Sequence, residues 1–505
     1  MKTQHIIAFF ALLTFTVHLV VAKNYELHRD ELLYIALGQH LDWGYASVPP
    51  FIGVLAKLAS IFFTDVAFGV KFFSGLAGAI LIIVVGKMTE DLGGKLWAVF
   101  LACSAVALSV AYNRTAWLFQ PVVFDILFWT LAAFFFLRLI RNTSASEKQW
   151  LPLSIIFGIG FLNKYNIVFM AAACIGALLL SRQRRLIYNK NFFIGLFVGL
   201  VIIMPNLFWQ GQHNFPVISH MAELRENQLI HVNIGDFLAN QLLMNFHAAP
   251  IWITGLAVCF FAKKEKYLRP IGWLFIITIG LFIIGSGKAY YTLGLYPMLF
   301  AVGGYGLEKY AHQVVRIGIV GWLFILSLPL MPLALPLLSH KDMIAYGQKM
   351  KPFIGDGFLK WETGEVHPLP QDYADMIGWQ ELADIIDRAY LSLTPEEQKN
   401  CAVFCQNYGE ASAAIFYGKQ KIPTPISFSD NFLYWAPDSL KITTLIYVND
   451  KTEEIKTHFG EVTEFDRLKN PYARETGMPV FICRKPTNFL PFYSQKVKRL
   501  KAESN

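Results

Sequence analysis

A chain of 505 residues that is 55% hydrophobic and only 16% charged departs from soluble domains, in which about 25% of residues carry charge, so lipid is the solvent for most of it. The formal charge of +8 does not point to nucleic acid, because no basic stripe or reader motif accompanies it; basic residues of a membrane protein collect in cytoplasmic loops. The six cysteines make neither a disulfide framework nor a zinc-type cluster. Cys103, Cys174 and Cys259 fall in apolar runs as small hydrophobes, while a disulfide among Cys401, Cys405 and Cys483 requires an oxidising compartment.

A spanning helix needs about 20 apolar residues. Such runs lie near 5–22, 67–86, 95–112, 117–138, 191–210, 237–262, 270–286, 289–307 and 314–338. Segment 151–181 is too long for one span and short for two, and the polar "NKYN" at Asn163 to Asn166 divides it into two short helices, so eleven helices are expected. With the N-terminus inside, the cytoplasmic loops receive Lys87, Lys95, Arg138, Arg141, Lys148, "SRQRRLIYNK", "AKKEKYLR", Lys309 and Arg316. That distribution follows the positive-inside rule. It favours 1–22 as a retained anchor over a cleaved signal peptide.

The first outer loop, 23–66, is long. "DELLYIALGQHL" and "VPPFIGVLAKLASIFF" read as two helices lying at the membrane interface, the second opened by Pro49 and Pro50. Beyond residue 340, "QELADIIDRAYLSLTPEEQK", "CAVFCQNYGEASAAIFYG", "KITTLIYVND" and "MPVFICRK" alternate helical and strand patterns. They predict a small extracytoplasmic α/β domain over 340–505, following a membrane domain over 1–339.

Charged groups gather on the expected outer side. Asp30 and Glu31 open the first loop helix, where a carboxylate can simply satisfy free N–H groups and the helix dipole, worth about 0.3–1 kcal/mol. Adjacent helical residues do not share a face, so one of the pair would face a site while the other caps. Asp125 in "QPVVFDILFW" is the one carboxylate inside an expected span. Placing it there costs roughly 2.5–3.5 kcal/mol, which makes it a functional candidate unless it only fixes packing against Arg114 or Lys71. Lys164, Lys288 and Arg114, with Tyr165, Tyr290, Tyr291 and Tyr296, supply cations and hydroxyls at one level. Together they could hold a phosphate; each alone reads as a snorkelling anchor. His28 and His40 have no metal-ligand spacing between them.

At "HRDELLYIALGQHLDWGY…PPFI", "QPVVFDILFWTLAAFFFLRLI", "FLNKYNIVF", "PNLFWQ", "GKAYYTLGLYPMLFAVGGYGLE" and "NYGEASAAIFYG" the chain resembles the glycosyltransferase family that includes protein O-mannosyltransferases and the aminoarabinose transferases of lipid A. The resemblance covers nearly the whole chain and implies a helical, polytopic GT-C fold. It implies a polyprenyl-phosphate sugar as donor and a glycolipid or protein acceptor, with transfer by inversion at the outer face of a bacterial inner membrane. By the same resemblance Asp30 is the base, supported by Glu31, and Asp125 orients the acceptor or that base. Lys164, Lys288 and Tyr291 become phosphate contacts, with Arg114 and Tyr165 beside them. Relatives usually carry a polar or acidic residue before the paired prolines, where this chain has "GYASVPP". No obligate metal is therefore expected, although a divalent ion stays open. Two other classes also stay open: a transporter or flippase, and a non-catalytic relative that binds envelope components. The "NYGEASAAIFYG" stretch reads as a structural strand–turn–helix.

Overall fold

The computed structural model describes residues 2–141, 146–227 and 233–504. The chain divides into two compact units. One comprises residues 1–22, 48–209 and 221–337; the other comprises 23–47, 210–220 and 338–505.

The first unit is helical. Among the described residues, six helices are long and apolar enough to cross a membrane: Thr3–Val21, Val66–Asp91, Pro121–Ile140, Lys190–Gln212, Lys263–Ile284 and Gln313–Ala334. Two further stretches are bent pairs, Leu96–Ala107 with Val110–Trp117 at 57° and Ile234–Leu243 with Phe246–Phe261 at 60°. Each expected apolar run has become helical, and segment 151–181 forms the two short helices expected of it. Trp150–Asn163 and Ile167–Leu179 have 14 and 13 residues, hence rises of about 20 Å against a hydrocarbon core of about 30 Å. The expected span 289–307 begins instead as a 3₁₀ turn, Ala289–Leu295, before the 15-residue helix Tyr296–Tyr310.

That short helix is a packing centre. Met298, Leu299, Phe300 and Ala301 are wholly buried, and glycines let neighbouring backbones close on it. A Cβ on Gly303 would collide with the Ile251 carbonyl of Ala249–Phe261, and one on Gly304 would come 2.5 Å from the Ala98 carbonyl of Leu96–Ala107. Lipid cannot supply a hydrophobic drive between helices, so small residues that permit close approach carry the association. Gly303→Ala is expected to destabilise the unit by about 1–3 kcal/mol, the usual cost of overpacking, read as a lower thermal midpoint in detergent. Elsewhere the unit turns apolar side chains outward: Phe197 and Phe208 on Lys190–Gln212, and Val314 and Ile325 on Gln313–Ser327, are exposed.

The second unit is α/β. Its four-stranded sheet has the order β1-β2-β4-β3, from Cys401–Cys405 (β1), Thr444–Val448 (β2), Phe459–Arg467 (β3) and Pro479–Pro486 (β4). β1 and β2 are parallel, whereas β4 runs antiparallel to both β2 and β3. Strand β3, an edge strand with Glu461, Glu464 and Asp466, has no counterpart in the expected pattern, because its charges dilute the apolar signal. Leu445, Tyr447, Phe481, Phe489 and Tyr493 share a core. All six cysteines are free and buried. Cys401 and Cys405 stand on β1 and Cys483 on β4, with β2 between them; two strand spacings of about 4.8 Å exceed the Cα separation a disulfide bridges.

The helix Arg29–Gln39 belongs to this unit. Residues Glu31 through Gly38 are all buried. Interfacial helices need a polar face, and "LLYIALG" has none, so the helix is enclosed as a core element. It packs against the helix Tyr408–Tyr417.

Candidate functional site

Each unit assembles its own set of charged groups. In the α/β unit the set forms at the N-terminus of Arg29–Gln39. His28 is the N-cap: its Nδ1 accepts the Asp30 backbone N–H at 3.1 Å, and Glu31 Oε2 accepts the His28 backbone N–H at 2.9 Å. This reciprocal capping pattern gives Glu31 a structural task, and its side chain is wholly buried. Asp30 differs: its side chain is 28% exposed, and its Oδ1 accepts the Tyr408 hydroxyl at 2.7 Å.

Behind Asp30 lies a buried charge network that the linear pattern did not disclose. His28 Nε2 is 3.6 Å from Asp375 Oδ2. Asp375 accepts two bonds from Arg474 Nη1, each 3.1 Å, and its backbone carbonyl accepts the Arg29 N–H at 3.1 Å. Burial pushes the Asp375 carboxyl above its usual range, and the charges of His28, Arg474 and Arg29 pull it back part of the way. The Arg29 guanidinium sits 4.8 Å from the Tyr408 ring centroid. Burial works against its charge, but Tyr408, Asp375 and Asp30 outweigh that and hold it above its ordinary value. Of the histidines without ligand spacing, His28 is thus a cap facing carboxylates, and His40 stacks on Trp435 at 4.2 Å.

The "NYGEASAAIFYG" stretch has the strand–turn–helix form expected of it. Asn407 caps the helix Tyr408–Tyr417 reciprocally with Glu410. Gly409 brings that helix against Arg29–Gln39, since a Cβ there would lie 3.1 Å from the Trp379 ring and 3.4 Å from Arg29 Cβ. The hydroxyl next to it, on Tyr408, makes a contact with Asp30 that the linear pattern did not disclose.

In the helical unit the set forms at the break between Trp150–Asn163 and Ile167–Leu179. Asn163 Nδ2 donates to the Pro121 carbonyl at 3.0 Å, and Asn166 Nδ2 donates to Asp125 Oδ2 at 2.9 Å. The turn is thereby tied to the first two turns of Pro121–Ile140. Asp125 is buried, with the Trp129 indole N–H beside its carboxylate as well as Asn166. The Lys164 ammonium lies 4.4 Å and 5.3 Å from the ring centroids of Tyr291 and Tyr290, within the field of Asp125 and Lys288. Tyr165 donates to Asn206 Oδ1 at 3.1 Å. Asp125, Lys164 and Tyr291 are therefore one cluster, with Lys288 in electrostatic reach and Asn166 as an unforeseen member. Asp125 takes its hydrogen bond from Asn166, whereas Lys71 sits over the Trp117 ring at 4.0 Å. Arg114 is exposed on Val110–Trp117. Among the described residues no three His, Cys, Asp or Glu gather as a metal-binding group.

A carboxylate beside a cation stacked on aromatic faces suits an anionic, partly apolar ligand. Residues 47–209 match the family model described as dolichyl-phosphate-mannose-protein mannosyltransferase. The lipid A galacturonosyltransferase RgtD of Rhizobium johnstonii is 25% identical over 272 residues, covering 51% of this chain and 53% of that protein. The chain thus spans about half the length of that curated relative. ArnT from Cupriavidus metallidurans, solved bound to undecaprenyl phosphate, has a TM-score of 0.61 at 14% identity, over 94% of this chain and 97% of ArnT. The arabinofuranosyltransferase AftD from Mycobacteria gives 0.54 at 10% identity, over 97% of this chain and 40% of AftD. At such identities the structural likeness speaks for the fold. A fold shared along almost the whole chain, joined to a family match over residues 47–209, makes the chain similar to polytopic GT-C glycosyltransferases of the mannosyltransferase and ArnT-like type.

Proposed function

We propose that the protein transfers a sugar from a polyprenyl-phosphate carrier to a hydroxyl or phosphate of an envelope glycolipid or a protein, at the outer face of a bacterial inner membrane. The observation that carries this reading is selective exposure. Asp30 keeps 28% of its side chain accessible, while Asp375 behind it keeps 2%. Sealed carboxylates serve the fold, and the accessible one is available to a substrate. RgtD and the protein mannosyltransferase family, which act on sugars, and ArnT, solved with a polyprenyl phosphate, support the same substrate class.

In this reading the acceptor oxygen attacks the anomeric carbon while its proton passes to the Asp30 carboxylate. The bond from the anomeric carbon to the carrier phosphate breaks, and its electron pair leaves with the phosphate, so the anomeric configuration inverts. Lys164, backed by Tyr290 and Tyr291, offers charge-assisted donation to a phosphate, with Lys288 adding positive field. Asp125, buried beside Asn166 and Lys164, offers a carboxylate acceptor for a substrate hydroxyl.

The test is donor consumption, followed by mass spectrometry, for the protein in lipid nanodiscs with a panel of polyprenyl-phosphate sugars and a native lipid extract. Loss of one donor with gain of a glycosylated product supports transfer. Movement of intact donor across the bilayer, with no product, would replace the reading with a flippase. Lys164→Met is expected to raise the donor KM about tenfold or more, since a hydrogen bond to a charged group contributes roughly 1.5–3 kcal/mol. An unchanged donor KM would remove Lys164 from phosphate binding.

A further inference from the structure

We infer that Tyr408, carried by the α/β unit, is a positioning residue for Asp30: its hydroxyl fixes the carboxylate rotamer in which Asp30 can take the acceptor proton. The inference rests on the transferase reading above and adds a residue to its chemistry. Asp30 follows the N-cap of a helix, and 28% of its side chain is accessible. A partly exposed aspartate can rotate about two side-chain bonds. A base that must meet a hydroxyl within hydrogen-bond reach loses rate when it is free to turn away.

The Tyr408 hydroxyl and His28 are among the groups that oppose that rotation. The Tyr408 hydroxyl donates to Oδ1 at 2.7 Å, and His28 Nδ1 stands 3.7 Å from Oδ2. The tyrosine itself is braced from three directions. The Arg29 guanidinium covers its ring at 4.8 Å, and Asn407 and Glu410 cap the helix that begins with it. Gly409 allows that helix to approach Arg29–Gln39 closely enough for the hydroxyl to arrive. Burial, together with the negative charge of Asp30, holds the phenol well above its ordinary value, so it stays a neutral donor across working pH. A phenol that donates without losing its own proton orients the carboxylate and leaves proton uptake to Asp30.

A purely structural role for Tyr408 predicts something different. Phenylalanine keeps the ring beneath Arg29 and the helix start, removing only the bond to Asp30. In nanodiscs, Tyr408→Phe is expected to lower kcat about tenfold, leave the donor KM within twofold, and keep the thermal midpoint near that of wild type. In an Asp30→Asn background the same change is expected to add no further loss to the residual rate, because the group it positions is gone. A wild-type kcat in Tyr408→Phe overturns the inference, as does an equal fractional loss in both backgrounds. Gly409→Ala is the second variant; it keeps the hydroxyl but displaces its helix, and it should lower kcat several-fold with the same dependence on Asp30. A wild type that consumes no donor in the panel brings down the transferase reading, and this inference with it.

Discussion

Asp30→Asn is expected to reduce sugar transfer by about two to four orders of magnitude, the contribution typical of a positioned general base, with donor affinity and thermal midpoint preserved. The amide has the shape of the carboxylate and can still accept the Tyr408 hydroxyl through its carbonyl oxygen, so the helix start has no reason to rearrange. What it lacks is a site for the acceptor proton. The measurement is single-turnover donor loss by mass spectrometry beside a melting curve on the same preparation. A variant that folds and transfers at the wild-type rate would strip Asp30 of its role. Glu31→Gln supplies the contrast. Glutamine can still accept the His28 N–H that Glu31 now accepts at 2.9 Å, so a near-native rate is expected.

Asp375→Ala is expected to be the most damaging substitution to the α/β unit. The carboxylate is almost fully enclosed, accepts both bonds from Arg474 Nη1, and faces His28 Nε2 at 3.6 Å. Removing one member of a buried ion pair leaves the other desolvated and uncompensated, at a cost of about 3–5 kcal/mol. The lower end applies, because the Arg474 side chain is 26% exposed and water can partly repay it. The loss should appear as a lower unfolding midpoint and as earlier proteolysis of the segment around the Arg29–Gln39 helix. It should also depress transfer indirectly, by loosening Arg29 and His28 around Asp30. If Asp375→Ala matched wild type in midpoint, the network would be contributing nothing to stability.

The division between what was readable and what was not follows the range of each interaction. The break at "NKYN" was legible because polar residues interrupt an apolar run locally, and Asp125 stood out because a carboxylate in such a run is costly wherever the chain folds. Strands β1, β2 and β4 were legible in their apolar cores, whereas β3 hid behind its acidic residues. The helix Arg29–Gln39 was placed correctly along the chain, while its burial was not legible. Its all-round apolar character was visible, but the layer that covers it is built from residues near 375, 408 and 474.

By itself the sequence determined that this is a polytopic helical chain with an α/β unit, because hydrophobic length and periodicity are properties of contiguous residues. It also singled out Asp30, Asp125 and Lys164 as candidate site groups. Only the tertiary structure decided which carboxylate remains accessible and what holds it. Asp30 and Tyr408 are 378 positions apart, and no local pattern encodes a hydrogen bond across that separation. Burial separates Glu31 from its neighbour Asp30, and Asp375 from both. Burial is set by what packs against a residue, which the residue's own flanking sequence does not contain.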